Sequence, residues 1–230
     1  MTATETIHLR PTAPLAERVL LPGDPGRALL LAQALLVSPV MFNHHRGLWG
    51  YTGRAADGVA LTIQSTGMGG PSAAIVITEL AELGARRLVR TGTCGALNPA
   101  LGLGDLVIVT ESVPADGTSR ALGAGDTVLP DEDLLAALLA AGQPDAHAGP
   151  VVSTDLFYDG SDAKEWTERG VVAVEMETAT LFALARRRGL QAASLLLVSD
   201  LLIPRRTRIT VEALRAAEGR LGELAVKAFG

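Results

Sequence analysis

Cysteine is almost absent from this sequence: Cys94 is the only one among 230 residues. A single thiol cannot close a disulfide within one chain, which excludes a disulfide-stapled secreted domain. The N-terminal residues also lack the basic-then-apolar order of a signal peptide. These absences lead us to expect a protein of the reducing cytoplasm.

Long apolar runs and basic clusters are missing as well. The longest apolar stretches, such as 192–198, fall far short of the roughly 20 residues needed to span a bilayer. The 20 basic and 25 acidic residues give a net charge of −5, and no run of lysines or arginines follows a helix face. We therefore expect neither a membrane nor a nucleic acid as partner.

Apolar residues, in contrast, make up 48% of the chain, enough for one large core. Short β-branched or leucine-rich runs alternate with longer alanine-rich segments. This alternation predicts strands joined by helices around a mostly parallel, buried sheet. We interpret residues 1–230 as a single α/β domain.

The boundaries of the predicted elements follow from this alternation and from glycine and proline positions. Strands are predicted at Arg18–Leu21, Arg87–Thr91, Asp105–Thr110, Gly149–Ser153, Val171–Val174 and Ala192–Val198, with antiparallel strands inside Leu48–Gly67. Helices are predicted from the GDPG turn to about Ala34 and at Pro71–Gly84, Asp131–Ala141, Met176–Arg188 and Val211–Ala228. The glycine- and aspartate-rich segment Pro114–Pro130 is predicted to be a surface loop.

Arginines in glycine-rich turns are the first sign of function. They are Arg27 in LPGDPGRA, Arg46 in HHRGLWGYTG and Arg90 in RTGTCGAL. Gly23 has no Cβ, so backbone amides can approach an anion there, and Arg27 follows with a planar donor fork. The same turn also fits an ordinary helix start with Asp24 as N-cap.

Arg90 gives the stronger indication of a phosphate site. It lies near the carboxyl end of a predicted buried strand, where open α/β sheets bind ligands, and the hydroxyl of Thr93 follows it. A buried arginine needs a counter-ion, and a bound phosphate would be the simplest one. A further glycine-rich turn, STGMGGPS, fits an anion site or close packing equally well.

These motifs, taken in order, resemble a known family. PGDPGR, HRGLWGYTG, STGMGGPS, RTGTCGA, STDLFY, VEMETATL and VSD together are similar to the nucleoside phosphorylases that include hexameric bacterial purine nucleoside phosphorylases and uridine phosphorylases. The resemblance implies an α/β fold with a central mixed, partly closed β-sheet flanked by helices. It also implies phosphate-dependent cleavage of a ribonucleoside to the free base and ribose 1-phosphate, with no metal and no cofactor.

The resemblance assigns the phosphate site and its neighbours. It places four residues on the phosphate, namely Gly23, Arg27, Arg90 and Thr93. Arg46 would reach the phosphate site of a neighbouring subunit, and His8 would approach that neighbour's ribose 5′-hydroxyl. The resemblance therefore implies a homo-oligomer, with a hexamer built as a trimer of dimers as the expected form. Without it, His8 would be interpreted as a surface histidine.

The VEMET motif would form the sugar part of the nucleoside site. Glu177 would accept hydrogen bonds from the 2′- and 3′-hydroxyls, Met176 would lie against the sugar, and Glu175 is assigned to the same site. Taken alone, the two acids also fit a solvated first turn of a helix, where they complement the helix dipole. Met176 alone would be interpreted as a core residue.

The base part of the site would come from STDLFY and VSD. Phe157 would pack on the base, while Ser199 and Asp200 would stand at its imidazole edge. Asp200 ends an apolar strand, where desolvation favours a protonated carboxyl that can donate to purine N7. Taken alone, Asp200 would be a turn cap and Phe157 a core residue.

Substrate preference is less sharply indicated. The middle of the chain looks closer to uridine phosphorylases, yet the Gln-x-Arg pair that recognises uracil is missing after the FY pair. We favour a purine nucleoside on the strength of Asp200. The alternatives are uridine, methylthioadenosine phosphorolysis or hydrolysis, and a non-catalytic nucleoside-binding protein. The arginine that assists Asp200 cannot be chosen by alignment among Arg205, Arg206, Arg208 and Arg215.

Overall fold

Strands and helices alternate along the chain in the computed structural model, which describes residues 6–158 and 163–230. The strands are β1 (Arg18–Leu21), β2 (Val37–Asn43), β3 (Gly50–Arg54), β4 (Ala60–Gln64), β5 (Arg87–Ala96), β6 (Leu106–Ala115), β7 (Ala146–Thr154), β8 (Ala173–Glu175), β9 (Gln191–Leu201) and β10 (Thr207–Arg208). The helices are α1 (Pro25–Leu35), α2 (Gly70–Leu83), α3 (Gly117–Ala121), α4 (Glu132–Gly142), α5 (Ala163–Glu168), α6 (Thr178–Arg188) and α7 (Val211–Lys227).

The sheet closes partly on itself. The order β9-β6-β7-β8-β5 returns to β9, while β1, β4, β3 and β2 extend the sheet from β5. Strands β1, β5 and β9 run parallel, whereas β6 and β9, and β5 and β8, pair antiparallel. The mixed, partly closed sheet implied by the motifs is confirmed. The mostly parallel sheet inferred from alternation alone is wrong, because segment order does not reveal a reversed strand pairing.

Helices pack on both faces of the sheet and bury its apolar side chains. One core lies against α2 and α6, with Val76, Leu80, Leu181 and Phe182 at its centre. The other lies against α1, α4 and α7, with Leu31, Leu134, Leu138 and Leu221 at its centre. Burial of this apolar surface is the main stabilising contribution to the fold. Within the described ranges, no helix is long and apolar enough to cross a membrane.

The predicted helix ends follow local chemistry. Asp24 caps α1, its side chain accepting from the Gly26 amide at 2.9 Å, and Pro25 is the first helical residue. Gly84 and Gly189 end α2 and α6 in the left-handed conformation, with φ of 115° and 64°. Glycine adopts this conformation without the steric cost that a Cβ would add.

The predicted surface loop Pro114–Pro130 is wrong in its first half, while residues 122–130 do form a mostly exposed loop. Strand β6 continues to Ala115, and helix α3 follows at once. Asp116 is fully buried and caps α3, accepting from the Ser119 amide at 2.7 Å and from the Thr180 hydroxyl at 3.3 Å. Farther on, Val128 pairs with Ser112 of β6. Glycine and aspartate suggested a loop, but contacts with α6 and β6 order the segment.

Three other boundaries differ from the prediction, and two of them concern residues of the candidate site. Strand β5 runs five residues past the predicted end at Thr91, because it continues pairing with β9 as far as Ala96. Helix α6 begins at Thr178 rather than Met176, since Glu177 is a non-helical N-cap with φ −139° and ψ −16°. Strand β2, which was not predicted, lies at the edge of the sheet with most of its residues exposed.

Candidate active site

The candidate site begins where β1 ends beside the middle of β5. Leu21, the last residue of β1, pairs in register with Arg90 of β5. Gly23 follows, and its carbonyl accepts from the amide of Gly67 at 3.1 Å. An added Cβ on Gly23 would lie 3.2 Å from the Gly67 carbonyl oxygen, so the two glycine turns approach closely. The fold thereby brings two predicted phosphate turns to one end of the sheet.

Arg27 lies at this end of the sheet. Its counter-ion in the structure is a carboxylate of the chain, Glu218, whereas the motifs led us to expect phosphate. The Nε of Arg27 donates to Glu218 Oε1 at 2.7 Å, and both side chains are 7% exposed. One terminal nitrogen, Nη1, reaches the Thr91 carbonyl at 3.4 Å. Sequence reasoning missed Glu218, which stands 191 residues away and carries no local motif. It could not be found without the packing of α7.

Arg90 is buried between two carboxylates. Its Nε lies 3.0 Å from Glu175 Oε2 and its Nη2 lies 2.5 Å from Glu177 Oε2. Desolvation acts to lower the pKa of Arg90, but the two carboxylates outweigh it and hold the pKa above the ordinary value. In the described part of the chain Nη1 is buried without a hydrogen-bond partner. Thr93 lies half-buried on the same strand.

Glu175 is fully enclosed by partners from its own chain. Besides Arg90, its carboxylate accepts from the Ser153 hydroxyl and from the backbone amides of Glu177 at 2.9 Å and Thr178 at 2.9 Å. Its side chain has no exposed surface. In this structure Glu175 therefore ties β5, β7 and the start of α6 together and orients Arg90.

Glu177 faces the glycine turn between β4 and α2. Its Oε1 accepts from the Gly69 amide at 2.5 Å, so the anion at the STGMGGPS turn is this carboxylate. Burial raises the pKa of Glu177, Arg90 opposes the shift, and Glu175 adds to it. The solvated helix start considered above is excluded for both acids, since each is less than 9% exposed. Met176 lies half-buried between them.

Asp200 lies near the end of β9, opposite Gly95 of β5. The Ser199 hydroxyl donates to Asp200 Oδ2 at 2.8 Å. Arg206 Nε lies 3.0 Å from Asp200 Oδ1, whereas Arg208 Nε lies 4.0 Å from it. Asp200 is 3% exposed. The structure thus selects Arg206, which alignment could not distinguish, as the arginine in hydrogen-bond contact with this carboxylate.

Phe157 lies beside the same arginine. The guanidinium carbon of Arg206 stands 4.6 Å from the centre of the Phe157 ring, a cation–π distance. The Tyr158 ring meets the Phe157 ring edge-on at 5.0 Å. Phe157 is 50% exposed, so it is not a core residue. Arg206 therefore links the aromatic side of the site to Asp200.

His8 and Arg46 belong to segments that His45 joins. The Nδ1 of His8 lies 2.7 Å from Glu79 Oε1, and the His8 carbonyl accepts from Nδ1 of His45, the neighbour of Arg46. Arg46 is exposed and has a φ of 58°, which is uncommon for a residue other than glycine. In the described ranges, no hydrogen bond or ion pair joins His8 or Arg46 to Arg90.

The fold and the site define an α/β protein in which two buried arginines, Arg27 and Arg90, are held by buried carboxylates where β1 ends. Comparison with known proteins agrees. The chain belongs to the phosphorylase superfamily, whose family model matches residues 17–229. The resemblance predicted from the motifs is confirmed.

Individual relatives cover most of the chain. It is 38% identical over 193 residues to a guanosine phosphorylase of Halorubrum lacusprofundi, covering 81% of this chain and 79% of that one. It is 39% identical over 196 residues to a DeoD-type purine nucleoside phosphorylase of Geobacillus kaustophilus, covering 82% and 83%. A crystal structure of uridine phosphorylase from Vibrio fischeri superposes with a TM-score of 0.84 at 26% identity, covering 94% and 91%.

Proposed function

We propose that this protein catalyses phosphorolysis of purine ribonucleosides to the free base and ribose 1-phosphate, as a pentosyltransferase of purine salvage. The observation that carries the proposal is the ion pair of 2.5 Å between Arg90 and Glu177. This pair places a buried cation suited to phosphate directly beside a carboxylate suited to sugar hydroxyls. A general nucleoside-binding protein would need only one of these.

We assign phosphate to the site where β1 ends beside the middle of β5. Gly23 offers close backbone approach, Arg27 and Arg90 offer cationic donors, and Thr93 offers a hydroxyl. Glu177 accepts from the ribose hydroxyls, and Met176 covers the sugar. Glu175 is the exception among the assigned residues, since its enclosed carboxylate is better suited to holding Arg90 than to touching the nucleoside.

Charge drives the reaction in this arrangement. As the glycosidic bond breaks, positive charge grows on the ribose and negative charge on the departing base. The phosphate anion stabilises the positive charge on the ribose and attacks C1′. Asp200 donates a proton to N7 of the departing base. Ser199 and Arg206 orient the Asp200 carboxyl, and Phe157 packs against the base. The phosphate site and the proton donor are separated along β5. Asp200 pairs with Gly95, which lies two residues beyond Thr93, or roughly 7 Å at 3.3 Å per residue.

Purine is favoured over pyrimidine by two lines of support. The guanosine and purine nucleoside phosphorylases named above are 38% and 39% identical to this chain. The second line is Asp200, the carboxyl that we propose as proton donor to purine N7. Uridine is the second candidate, because the uridine phosphorylase of Vibrio fischeri shares the fold closely. The missing Gln-x-Arg pair weighs against uracil recognition.

A homo-oligomer, with the hexamer as the expected form, accounts for His8 and Arg46. Two of their near neighbours in the chain, Ile7 and Trp49, are exposed apolar residues. Exposed apolar groups beside polar side chains suit a contact between copies of the chain. In that contact Arg46 would complete a neighbour's phosphate site and His8 would meet its ribose 5′-hydroxyl. Phosphate is a co-substrate in this scheme, no cofactor is required, and a cytoplasmic location remains a prediction.

A substrate panel tests the proposal. Release of free base from inosine, adenosine, guanosine, methylthioadenosine and uridine is followed with and without phosphate. We expect purine nucleosides to be cleaved fastest, with a rate that saturates in phosphate, and sugar 1-phosphate to accumulate in equal amount with the base. Equal rates without phosphate would assign the protein to hydrolysis, preference for uridine would move it to the second candidate, and binding without turnover would make it a nucleoside-binding protein.

A further inference from the structure

The pairing of Arg27 with Glu218 points to a residue that no motif indicated. The two side chains are buried to the same degree, and the 2.7 Å contact uses Nε, the nitrogen on the stem side of the guanidinium. Glu218 belongs to α7, near the end of the chain, whereas Arg27 belongs to α1 near its beginning. A contact between such distant segments is made by tertiary packing alone.

Helix packing fixes the position of Glu218 closely. One turn farther along α7, Gly222 faces α1, and an added Cβ there would lie 2.5 Å from Leu31 Cδ2 and 3.0 Å from Leu35 Cδ1. The two helices therefore touch through a glycine, which sets their separation. With α7 held at this distance, the Glu218 carboxylate can reach Arg27 without freedom to shift.

The same arrangement occurs at the second arginine. Arg90 also gives its Nε to a buried carboxylate, that of Glu175, at 3.0 Å. In both cases the carboxylate occupies the stem side of the guanidinium. For Arg27, Nη1 then points to the middle of β5, where it reaches the carbonyl of Thr91 at 3.4 Å, next to Arg90. A guanidinium held on its stem side presents its paired Nη donors in a fixed plane, which suits two phosphate oxygens.

We propose that Glu218 is a positioning residue for phosphate, holding Arg27 through Nε so that its Nη edge faces the bound anion. The inference rests on the proposed phosphorolysis and goes beyond it, because it assigns part of the phosphate site to the C-terminal helix. Glu218 touches neither phosphate nor nucleoside in this scheme. It acts by removing the rotational freedom that Arg27 would otherwise lose on binding.

Substitutions at position 218 separate geometry from charge. Glu218→Gln keeps the length of the side chain and an oxygen that accepts from Nε. Glu218→Asp keeps the charge but withdraws it by one methylene. If Glu218 positions Arg27, Glu218→Asp and Glu218→Ala should raise the KM for phosphate about tenfold or more, as small misplacements of binding groups do. Glu218→Gln should raise it only about twofold. The matched control is Glu223→Gln, an exposed acid on the same helix, which should change nothing.

Steady-state kinetics with inorganic phosphate and inosine give the result. The KM for inosine should stay within about twofold in every variant, because Glu218 acts only on the anion. The inference is overturned if Glu218→Asp behaves as wild type while Glu218→Gln is impaired, since the charge alone would then matter. An unchanged phosphate KM in Glu218→Ala overturns it as well. If Glu218→Ala does not fold, the comparison of Asp with Gln decides.

A double-mutant cycle with Arg27→Lys provides an independent readout. Lysine has no Nε–H on a planar fork, so there is no guanidinium for Glu218 to orient. In that background Glu218→Asp should change the phosphate KM by less than about twofold, and equal effects in both backgrounds would contradict the inference. Failure of the proposed function is distinguishable, because the wild type would then show no phosphate dependence. A phosphate-dependent wild type with unaltered Glu218 variants removes only this inference.

Discussion

Two glutamates, only two residues apart, do different work in this site. Glu175 ends β8 and turns inward to Arg90 and the first amides of α6, so every oxygen is occupied. Glu177 caps the helix without a side-chain bond to it and reaches Gly69 and Arg90 instead. The difference lies in the further partners of each carboxylate, since both contact the Arg90 guanidinium. Charge type alone could not have separated their roles.

Replacement of Asp200 by asparagine tests proton donation to the base. Asparagine keeps the shape but cannot supply the proton, so we expect kcat for inosine to fall by about 10²–10⁴. A 7-methylated purine nucleoside already carries the positive charge on the base, so its cleavage should be nearly indifferent to the substitution. Steady-state kinetics on both substrates are the measurement. Unimpaired inosine turnover in Asp200→Asn would contradict the role.

Protonation of Glu177 should set the acid limit of activity. Since burial raises its pKa, the carboxylate form is lost on acidification at a higher pH than for an ordinary glutamate. We expect kcat/KM for inosine to fall on that acid limb. In Glu177→Gln the acid limb should disappear. The transition state should lose roughly 1.5–3 kcal/mol of stabilisation, which lowers kcat/KM at every pH. An identical pH profile in this variant would show that another group controls the limb.

At the scale of elements, helix α7 joins the C-terminal part of the chain to Arg27 of the proposed phosphate site. Its buried face packs on α1 and β9 and carries Ala217, Glu218 and Leu221. Gly222 lets α7 approach α1, whereas Gly219 of the same helix has nothing within 4 Å of an added Cβ. Helix packing therefore requires a glycine at position 222 but not at position 219.

Alanine substitutions at Gly219 and Gly222 should change the free energy of unfolding in opposite directions. Gly219→Ala should raise the free energy of unfolding by about 0.5–1 kcal/mol, because alanine favours the helix without a clash. Gly222→Ala should lower it, since an overpacking cost of roughly 1–3 kcal/mol outweighs the same helical gain. Urea unfolding of both variants beside wild type measures the difference. Stabilisation by Gly222→Ala would mean that α1 and α7 can separate at little cost.

At the scale of the whole molecule, one chain holds the carboxylates and two arginines of the proposed site, while in the described ranges His8 and Arg46 make no hydrogen bond or ion pair to them. His45 ties the His8 backbone to the turn that carries Arg46. Glu79 adds contacts to the His8 and Leu9 amides at 3.0 and 2.7 Å. His8 and Arg46 are therefore placed as one rigid unit, which suits delivery to a second subunit.

Mixed oligomers test whether Arg46 acts in a neighbour's site. Arg46→Ala and Asp200→Asn should each be nearly inactive alone. When the two variants are unfolded together and reassembled, a subunit with intact Asp200 can receive intact Arg46 from its partner. We expect activity to return toward half that of wild type per mixed dimer, measured as inosine cleavage after size separation. No recovery in verified mixed oligomers would place Arg46 in its own subunit's site.

The sequence by itself determined the alternation of strands and helices, the caps at Asp24, Gly84 and Gly189, and the family, because these depend on local chemistry and on motifs contiguous in the chain. It also identified Arg27, Arg90, Glu177 and Asp200 as candidates. The first half of the predicted loop Pro114–Pro130 is instead the end of β6 and helix α3. Its helix α3 depends on Asp116, whose partner Thr180 lies far away in the chain.

Only the tertiary structure decided which charges meet. Glu218 reaches Arg27 across 191 residues, and Arg206 rather than its arginine neighbours contacts Asp200. The closure of β5 onto both β8 and β9 brings Glu175 and Asp200 to the strand that carries Arg90. An ion pair depends on separations of a few ångströms that chain order does not encode. Those separations are fixed by how sheet and helices pack.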